Sequence, residues 1–251
     1  GWEGSKGSAT EFDNDGWYDV IAKAVGVEEV IENHKAIMKA YDPDFKIDLL
    51  LDEWGTWFDV EPGTNPGHLF QQNTMRDAMV AALSLNIFHK YTRRLKMANI
   101  AQIANVLQSM VLTKEDKMVL TPTYHTFRMY NVHQDAMYLP TECDSPKFTD
   151  ALDRECPYVD ATASRNAEGM MNITLTNTSL DQKAEVSMAL PFRRKAEVTA
   201  EVLTSKNAQD HNEFDRPDTV KPAEFDDFKI KDGKLIVKMP AMSIISLSVK
   251  L

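Results

Sequence analysis

The 251-residue sequence has few cysteines, a deficit of positive charge and no long apolar run. Its two cysteines, Cys143 and Cys156, flank a segment that contains proline and aspartate, and neither has the spacing of a metal ligand. We expect two free thiols; the alternative is a single disulfide bond between them. The cysteines therefore do not indicate whether the compartment is oxidising or reducing.

Acidic residues outnumber basic ones by 38 to 28, which gives a formal net charge of −10. Nucleic acids and anionic membranes attract concentrated Lys and Arg, so this balance argues against both as partners. No apolar stretch approaches the roughly 18–20 residues that span a membrane. The sequence begins without Met and without the basic-then-apolar pattern of a signal peptide, so we read it as an interior stretch of a longer protein, of unknown compartment.

The first 110 residues alternate between helical and strand patterns. Apolar residues recur at helical spacing in two segments, and Gly26 is a predicted break in the first of them. The predicted order is helix 17–41, strand 47–51, helix 72–90, strand 96–100 and helix 101–110. Such an alternation is typical of an α/β layer with parallel strands.

The pattern changes near residue 112. Thr121 followed by Pro122 predicts the start of a short helix, 123–132. Beyond residue 136, short apolar or alternating runs are separated by turn residues, which predicts an antiparallel β-sandwich or jelly roll. These predicted strands are 158–163, 170–176, 184–190, 196–203, 228–230, 234–239 and 243–249.

Two adjacent carboxylates, Asp52 and Glu53, follow the first predicted strand and precede Trp54 and Trp57. In α/β barrels, the chemistry lies at the carboxyl ends of the strands. One interpretation is a catalytic site, and the other is a strand that ends in solvated acids. Because neighbouring strand residues point to opposite faces, we expect Asp52 to be a structural hydrogen-bonding residue.

A complete (β/α)8 barrel needs about 250 residues by itself. The sequence offers only two strand–helix units before the predicted sandwich. If these units belong to a barrel, most of that barrel lies outside this chain; otherwise, the α/β unit is something smaller.

Five segments carry a resemblance to a known family: KGSATEF, LLLDEWGTWFDVEPGTNPGHLFQQNTMRDA, VAALSLNIFHKY, MANIAQIANVLQSM and LTPTYHTFRMYNVHQDA. They resemble the C-terminal half of bacterial α-L-arabinofuranosidases of glycoside hydrolase family 51. The resemblance covers nearly all of residues 4–140. It implies the C-terminal part of a (β/α)8 TIM barrel over residues 1–112, about units 6–8, followed by a jelly-roll-like β-sandwich over residues 113–251.

The resemblance also implies roles for three residues. Glu53 takes the position of the family's nucleophile on strand 7, and Trp57 that of an aromatic residue lining the sugar pocket. Gln102, after strand 8, takes the position of a residue that hydrogen-bonds the sugar or the nucleophile. The family's acid/base glutamate follows strand 4, for which this sequence has no equivalent. We therefore expect the chain to be inactive without an N-terminal half of the same enzyme.

The implied activity is retaining removal of terminal arabinofuranosyl groups from arabinose-containing polysaccharides or oligosaccharides, such as arabinoxylan or arabinan. The resemblance implies no metal, no organic cofactor and self-association into an oligomer. The alternative is a non-catalytic carbohydrate-binding sandwich module that carries a vestigial barrel segment.

Overall fold

The computed structural model describes residues 6–150, 153–189 and 196–250. Its helices are α1 (Asn14–Val25), α2 (Val27–Tyr41), α3 (Met75–Lys90) and α4 (Pro122–Tyr130), with 3₁₀ turns at Pro66–His68 and Asn131–His133. The strands of the first half are β1 (Leu49–Trp54), β2 (Leu95–Ile100), β3 (Val111–Lys114), β4 (Lys117–Leu120), β5 (Met137–Leu139), β6 (Lys147–Thr149) and β7 (Glu155–Pro157). Those of the second half are β8 (Val159–Arg165), β9 (Met171–Asn177), β10 (Ala184–Ala189), β11 (Glu197–Thr204), β12 (Ala223–Glu224), β13 (Phe228–Lys231), β14 (Lys234–Met239) and β15 (Ser243–Lys250).

Helices α1, α3 and α4 begin where side chains satisfy their first backbone N–H groups. Asp13 accepts a hydrogen bond at the start of α1, and Thr121 does so at α4, with proline at the first helical position. Thr74 and Asp77 form a reciprocal capping box at α3. Gly26 separates α1 from α2. The predicted break at Gly26 and the predicted start of α4 are therefore confirmed.

Strands β1 and β2 form a parallel pair, and α3 is the helix that connects them. One face of this pair packs on helices, where Trp54 lies edge-to-face against Phe88 and stacks on Phe127. Trp54 is thus a packing residue. The opposite face carries Leu50 and Met97, which remain 48% and 43% exposed.

A buried ion pair between Asp42 and Arg94 sets the entry into β1. Asp42 also accepts hydrogen bonds from the backbone N–H groups of Lys46 and Ile47, at 3.0 and 2.9 Å. These backbone donors, together with Arg94, lower the pKa of Asp42 to about 2. Arg94 in turn donates to the carbonyl of Ile47, so one residue anchors both the turn before β1 and the start of β2.

The second half of the chain is an antiparallel sandwich. Six strands pair in the order β12-β11-β15-β9-β8-β5, and three pair in the order β10-β14-β13. The two sheets enclose a core of alternating apolar residues, fully or almost fully buried: Ile173, Leu175, Leu235, Val237, Met239, Ile245, Leu247 and Val249. The predicted strands over these residues are confirmed, except that residue 190 of the predicted strand 184–190 lies outside the described residues.

The helices α1, α3 and α4 cover the outer face of the six-stranded sheet. Leu203 and Ile244 from the sheet join Trp17, Met79 and Met129 from the helices in one buried cluster. β9 is consequently buried on both faces along its whole length, with Asn172, Thr174 and Thr176 on the helix side. The α/β part and the sandwich therefore share a core.

One predicted element is wrong. Residues 101–110 form an irregular loop instead of a helix, although Ile103, Leu107 and Met110 follow helical spacing. Asn105 and Leu107 have φ values of 61° and 50°, which a right-handed helix excludes. The backbone N–H of Leu107 instead donates to the carbonyl of Leu69, at 3.0 Å. Tertiary hydrogen bonds replace the helical ones here.

Several small elements were not predicted: the hairpin of β3 and β4 and the short strands β5, β6, β7 and β12. The expectation of two free thiols is confirmed for Cys143 and Cys156. Within the described ranges, no helix has the length and apolar character needed to cross a membrane.

Candidate active site

An open cleft of about 310 Å³ lies at the carboxyl ends of β1 and β2. It is lined by Asp52, Glu53, Ile100, Ala101, Gln102 and Ile103. The side chains of Glu53 and Gln102 are exposed. The structure thus brings together two of the three residues singled out from the sequence.

A β-bulge directs both carboxylates into this cleft. Leu51 pairs with Ala98 and Trp54 pairs with Ile100, so Asp52 and Glu53 together oppose a single residue of β2. An extra residue on one strand breaks the alternation of side chains at that point. The expectation that Asp52 and Glu53 point to opposite faces is therefore wrong, because it assumed a regular strand.

Neither carboxylate has a side-chain hydrogen bond or ion pair with any other described residue. Asp52 is therefore not the structural hydrogen-bonding residue that regular alternation suggested. Glu61, the next acid beyond Asp59, is not part of the cleft lining. Its carboxylate accepts a hydrogen bond from the backbone N–H of Gln72, at 2.9 Å. Glu61 thus fixes its own loop.

The segment after β1 is held by two fully buried amide side chains. Gln108 accepts a hydrogen bond from the backbone N–H of Thr56, and Gln71 accepts one from that of Phe58, each at 2.8 Å. Gly55 adopts a φ of +136°, and a Cβ atom there would lie 3.1 Å from Oε1 of Gln108. Glycine is needed because a side chain would be strained and would crowd this contact.

A buried acid lies beneath the same segment. The hydroxyl of Thr56 donates to the carboxylate of Asp77, which also accepts from the backbone N–H of Thr74, at 2.7 Å. Burial raises the pKa of Asp77, although Arg76 and these donors oppose that shift. Arg76 packs its guanidinium between Phe12 and Phe58, and burial lowers its pKa to about 10.

Trp57 is half-buried and is not among the residues that line the cleft. Its ring lies below the ammonium of Lys6, with 5.2 Å between Nζ and the ring centroid. Lys6 is also tied to this segment through its backbone N–H, which donates to Asp59 at 2.9 Å. The predicted role of Trp57 at a sugar pocket stays a prediction.

The site offers no arrangement for a metal. Across residues 6–150, 153–189 and 196–250, no three His, Cys, Asp or Glu side chains are grouped to hold an ion. The functional groups in the cleft are two carboxylates, one carboxamide and backbone groups. Such a set can supply a carboxylate nucleophile or base and hydrogen bonds to hydroxyl groups.

Comparison with known proteins bears on this arrangement. Residues 52–243 match the model of the α-L-arabinofuranosidase C-terminal domain. The chain is 53% identical over 250 residues to an intracellular exo-α-L-arabinofuranosidase of Bacteroides ovatus, a match that covers all of this chain and 49% of the relative. The chain belongs to the α-L-arabinofuranosidase family.

Solved structures of this family agree in fold. The glycoside hydrolase family 51 arabinofuranosidase of Xanthomonas axonopodis superposes with a TM-score of 0.95 at 40% identity, covering all of this chain and 50% of that protein. The α-L-arabinofuranosidase of Thermotoga maritima shares the fold, with a TM-score of 0.81 over 95% of this chain and 51% of its own, at 20% identity. The chain is thus the C-terminal half of the family's fold, and it spans about half the length of the relatives it matches. The predicted architecture of a partial barrel followed by a sandwich is confirmed.

Sequence reasoning missed the polar residues that support the site, namely Thr56, Gln71, Asp77 and Gln108. All four are buried polar residues, and although they lie in segments that carry the family resemblance, no local pattern marks them as buried supports of the site. Gly55 was the available signal, because a glycine directly after a strand end indicates an unusual φ or a close contact.

Proposed function

We propose that this chain carries the nucleophile, Glu53, of a retaining α-L-arabinofuranosidase. The observation that carries the proposal is the exposed Glu53 at the carboxyl end of β1, turned by a bulge into the cleft that Gln102 also lines. Membership of the arabinofuranosidase family supports the reaction class. A carboxylate exposed in a cleft is a suitable attacking group because a substrate can reach its oxygen atoms.

The proposed reaction is a double displacement. In the first step, a carboxylate oxygen of Glu53 forms a bond to the anomeric carbon while the bond to the leaving oxygen breaks, and a second acid protonates that oxygen. In the second step, water attacks the anomeric carbon of the glycosyl-enzyme. The second group, now a carboxylate, takes the proton of that water, and Glu53 leaves as a carboxylate. Neither step calls for a metal or an organic cofactor.

We assign the second acid to an N-terminal half of the enzyme. Retaining enzymes hold their two carboxyl groups about 5–5.5 Å apart on opposite sides of the scissile bond. Asp52 adjoins Glu53 on the same strand, and Glu61 is engaged in its own loop. Neither supplies an acid from the opposite side. The chain alone is therefore expected to be inactive, and residues 1–112 are proposed to complete a barrel with that half.

The proposed substrates are arabinose-containing polysaccharides or oligosaccharides of the arabinoxylan and arabinan type. Gln102 would donate hydrogen bonds to the sugar or to Glu53, and Trp57 would contribute an apolar ring surface. The sandwich domain, proposed as residues 113–251, supports this site through the core it shares with α1 and α3. We further propose that the complete enzyme self-associates.

The test is the replacement of Glu53→Ala in the full-length enzyme, meaning this chain together with the N-terminal half. Turnover of an aryl α-L-arabinofuranoside is expected to fall by on the order of 10⁴-fold or more, because an essential reacting group is removed. Added azide should fit the space of the deleted carboxylate and restore turnover, giving a sugar azide of inverted configuration.

The matched control is Asp52→Ala, which removes a neighbouring carboxylate from the same cleft. It is expected to cost far less activity and to show no response to azide. Unchanged turnover in Glu53→Ala would refute the assignment of the nucleophile. Turnover lost and then restored by azide would refute the alternative of a non-catalytic binding module.

A further inference from the structure

We infer that Gln108 is a positioning residue that couples the two walls of the cleft, an inference that rests on the proposed function of Glu53. One wall is the end of β1 and its following segment, which carries Glu53. The other wall is the loop 101–110, which carries Gln102. Gln108 belongs to the second wall and hydrogen-bonds the first.

The amide of Gln108 is fully buried and fully engaged. Its Oε1 accepts from the backbone N–H of Thr56, at 2.8 Å. Its Nε2 donates to the carbonyl of Asp77 at 2.7 Å and to the hydroxyl of Thr123 at 3.2 Å. Gln108 therefore links the segment after Glu53 to the first turns of α3 and α4.

The loop that carries Gln108 is closed on itself, so its end, next to Gln108, is tied to its start at Gln102. The backbone N–H of Met110 donates to the carbonyl of Gln102 at 3.3 Å, and that of Val111 donates to Ile103 at 3.1 Å. At its other end, the N–H of Ala101 donates to the carbonyl of Trp54, at 2.9 Å. Hydrogen bonds thus join the two walls at two points, between Trp54 and Ala101 and between Thr56 and Gln108. These points lie on either side of Gly55.

Gly55 shows how tightly this second junction is built. Its φ of +136° and the 3.1 Å between a Cβ position and Oε1 of Gln108 leave no room for a side chain. A shift of Gln108 would free the segment after β1 to move relative to Gln102. Catalytic groups lose efficiency steeply when they are misplaced, by about 100-fold for a displacement of about 1 Å.

Gln71 provides a matched control on the same segment. It is as fully buried as Gln108, and its Oε1 accepts from the backbone N–H of Phe58 at the same distance, 2.8 Å. It makes no hydrogen bond to the loop 101–110 within the described part of the chain. Loss of Gln71 therefore removes an equivalent amide without uncoupling the two walls.

The experiment compares Gln108→Met and Gln71→Met in the full-length enzyme, with kcat and KM measured separately on an aryl α-L-arabinofuranoside. Gln108→Met is expected to lower kcat by about 10- to 100-fold with a smaller change in KM, because the reacting groups are misaligned. Gln71→Met is expected to lower kcat much less. Thermal unfolding midpoints of the two variants should fall by similar amounts.

A second variant, Gln108→Glu, keeps the inference testable even if Gln108→Met does not fold. A protonated carboxyl group offers an acceptor for the Thr56 N–H and one O–H donor, one donor fewer than the amide, whereas the ionised form offers acceptors only. The ratio of its kcat to that of the parent enzyme should therefore rise as the pH is lowered. Hydrogen exchange at the Thr56 amide should accelerate in Gln108→Met, while the Phe58 amide stays protected.

Equal kcat values for Gln108→Met and the parent enzyme would overturn the inference, and so would equal losses in Gln108→Met and Gln71→Met. These outcomes are distinct from failure of the proposed function, which shows as unchanged turnover in Glu53→Ala.

Discussion

The two halves of this chain bury their strands in different ways. In the sandwich, apolar residues of both sheets meet face to face, and Leu247 on β15 is fully buried. In the barrel-type half, α3 covers one face of β1 and β2, while Leu50 on the other face stays 48% exposed. Parallel strands are normally covered on both faces. The sandwich thus has a core enclosed by two sheets, whereas the strand that carries Glu53 is covered on only one face.

The largest expected effect uses one leucine from each half. Leu247→Ala should lower the free energy of unfolding by about 3–5 kcal/mol, because it leaves a cavity in a closed core. Leu50→Ala should cost less than about 1 kcal/mol in this chain, because the side chain is half exposed already. Urea denaturation of both variants measures the difference.

The same two substitutions extend the comparison to the full-length enzyme, in which the N-terminal half of the enzyme is present. Burial of Leu50 by further strands should then raise the cost of Leu50→Ala by about 2 kcal/mol, while that of Leu247→Ala stays the same. A large cost of Leu50→Ala in this chain alone would contradict the difference between the halves.

A second prediction concerns the surface where the two halves of this chain meet, between the helices and the six-stranded sheet. His133 lies between Ser164 and Thr174, with 2.7 Å from Nδ1 to one hydroxyl and 2.6 Å from Nε2 to the other. Its ring is 5.0 Å from that of His89. Burial lowers the pKa of His133 to about 3 and that of His89 to about 4. Both rings are therefore neutral in the folded chain at pH 7.

Below the ordinary pKa of 6.5, the unfolded chain binds protons that the folded chain excludes. The free energy of unfolding therefore decreases as the pH is lowered. For His133, the loss between pH 6.5 and 4.5 is about 2 kcal/mol. His133→Gln should flatten this part of the stability curve, measured by urea denaturation at several pH values. An unaltered curve for His133→Gln would show that water reaches this surface.

The smallest expected effect compares two glycines with positive φ. Gly233 joins β13 to β14, and a Cβ atom there would meet nothing within 4 Å. Gly233→Ala should cost about 1 kcal/mol from backbone strain alone. Gly55→Ala adds the contact with Gln108 and should cost about 2 kcal/mol, as thermal unfolding would measure. Activity of the full-length enzyme should fall in Gly55→Ala only. Equal effects of the two variants on stability and activity would argue against close packing of Gly55 on Gln108.

The two halves also differed in how well their sequences predicted them. Alternation along β14 and β15 marked the sandwich strands, because a face buried against another sheet must be apolar at every second residue. Helix α1 and its end at Gly26 followed from helical spacing and from glycine as a predicted break. Glu53 and Gln102 followed from the family resemblance, and the structure brings them into one cleft.

The site itself was less predictable because tertiary contacts determine it. The bulge that turns Asp52 towards the cleft depends on how β2 pairs with β1, which no local pattern encodes. The loop 101–110 follows helical spacing, but the backbone N–H of Leu107 and the side chain of Gln108 are held by distant residues. Trp57 lies beside Lys6, a contact across 51 positions that the sequence did not indicate.

The central claim is that Glu53 forms the covalent bond to the sugar. An activated 2-fluoro-arabinofuranoside slows breakdown of a glycosyl-enzyme, so the labelled residue can be located by peptide mass spectrometry of the full-length enzyme. The proposed function predicts one label per active site, on Glu53, with fragment ions that separate it from Asp52. A label on Asp52 or on any other residue, or inactivation without a covalent label, would contradict it.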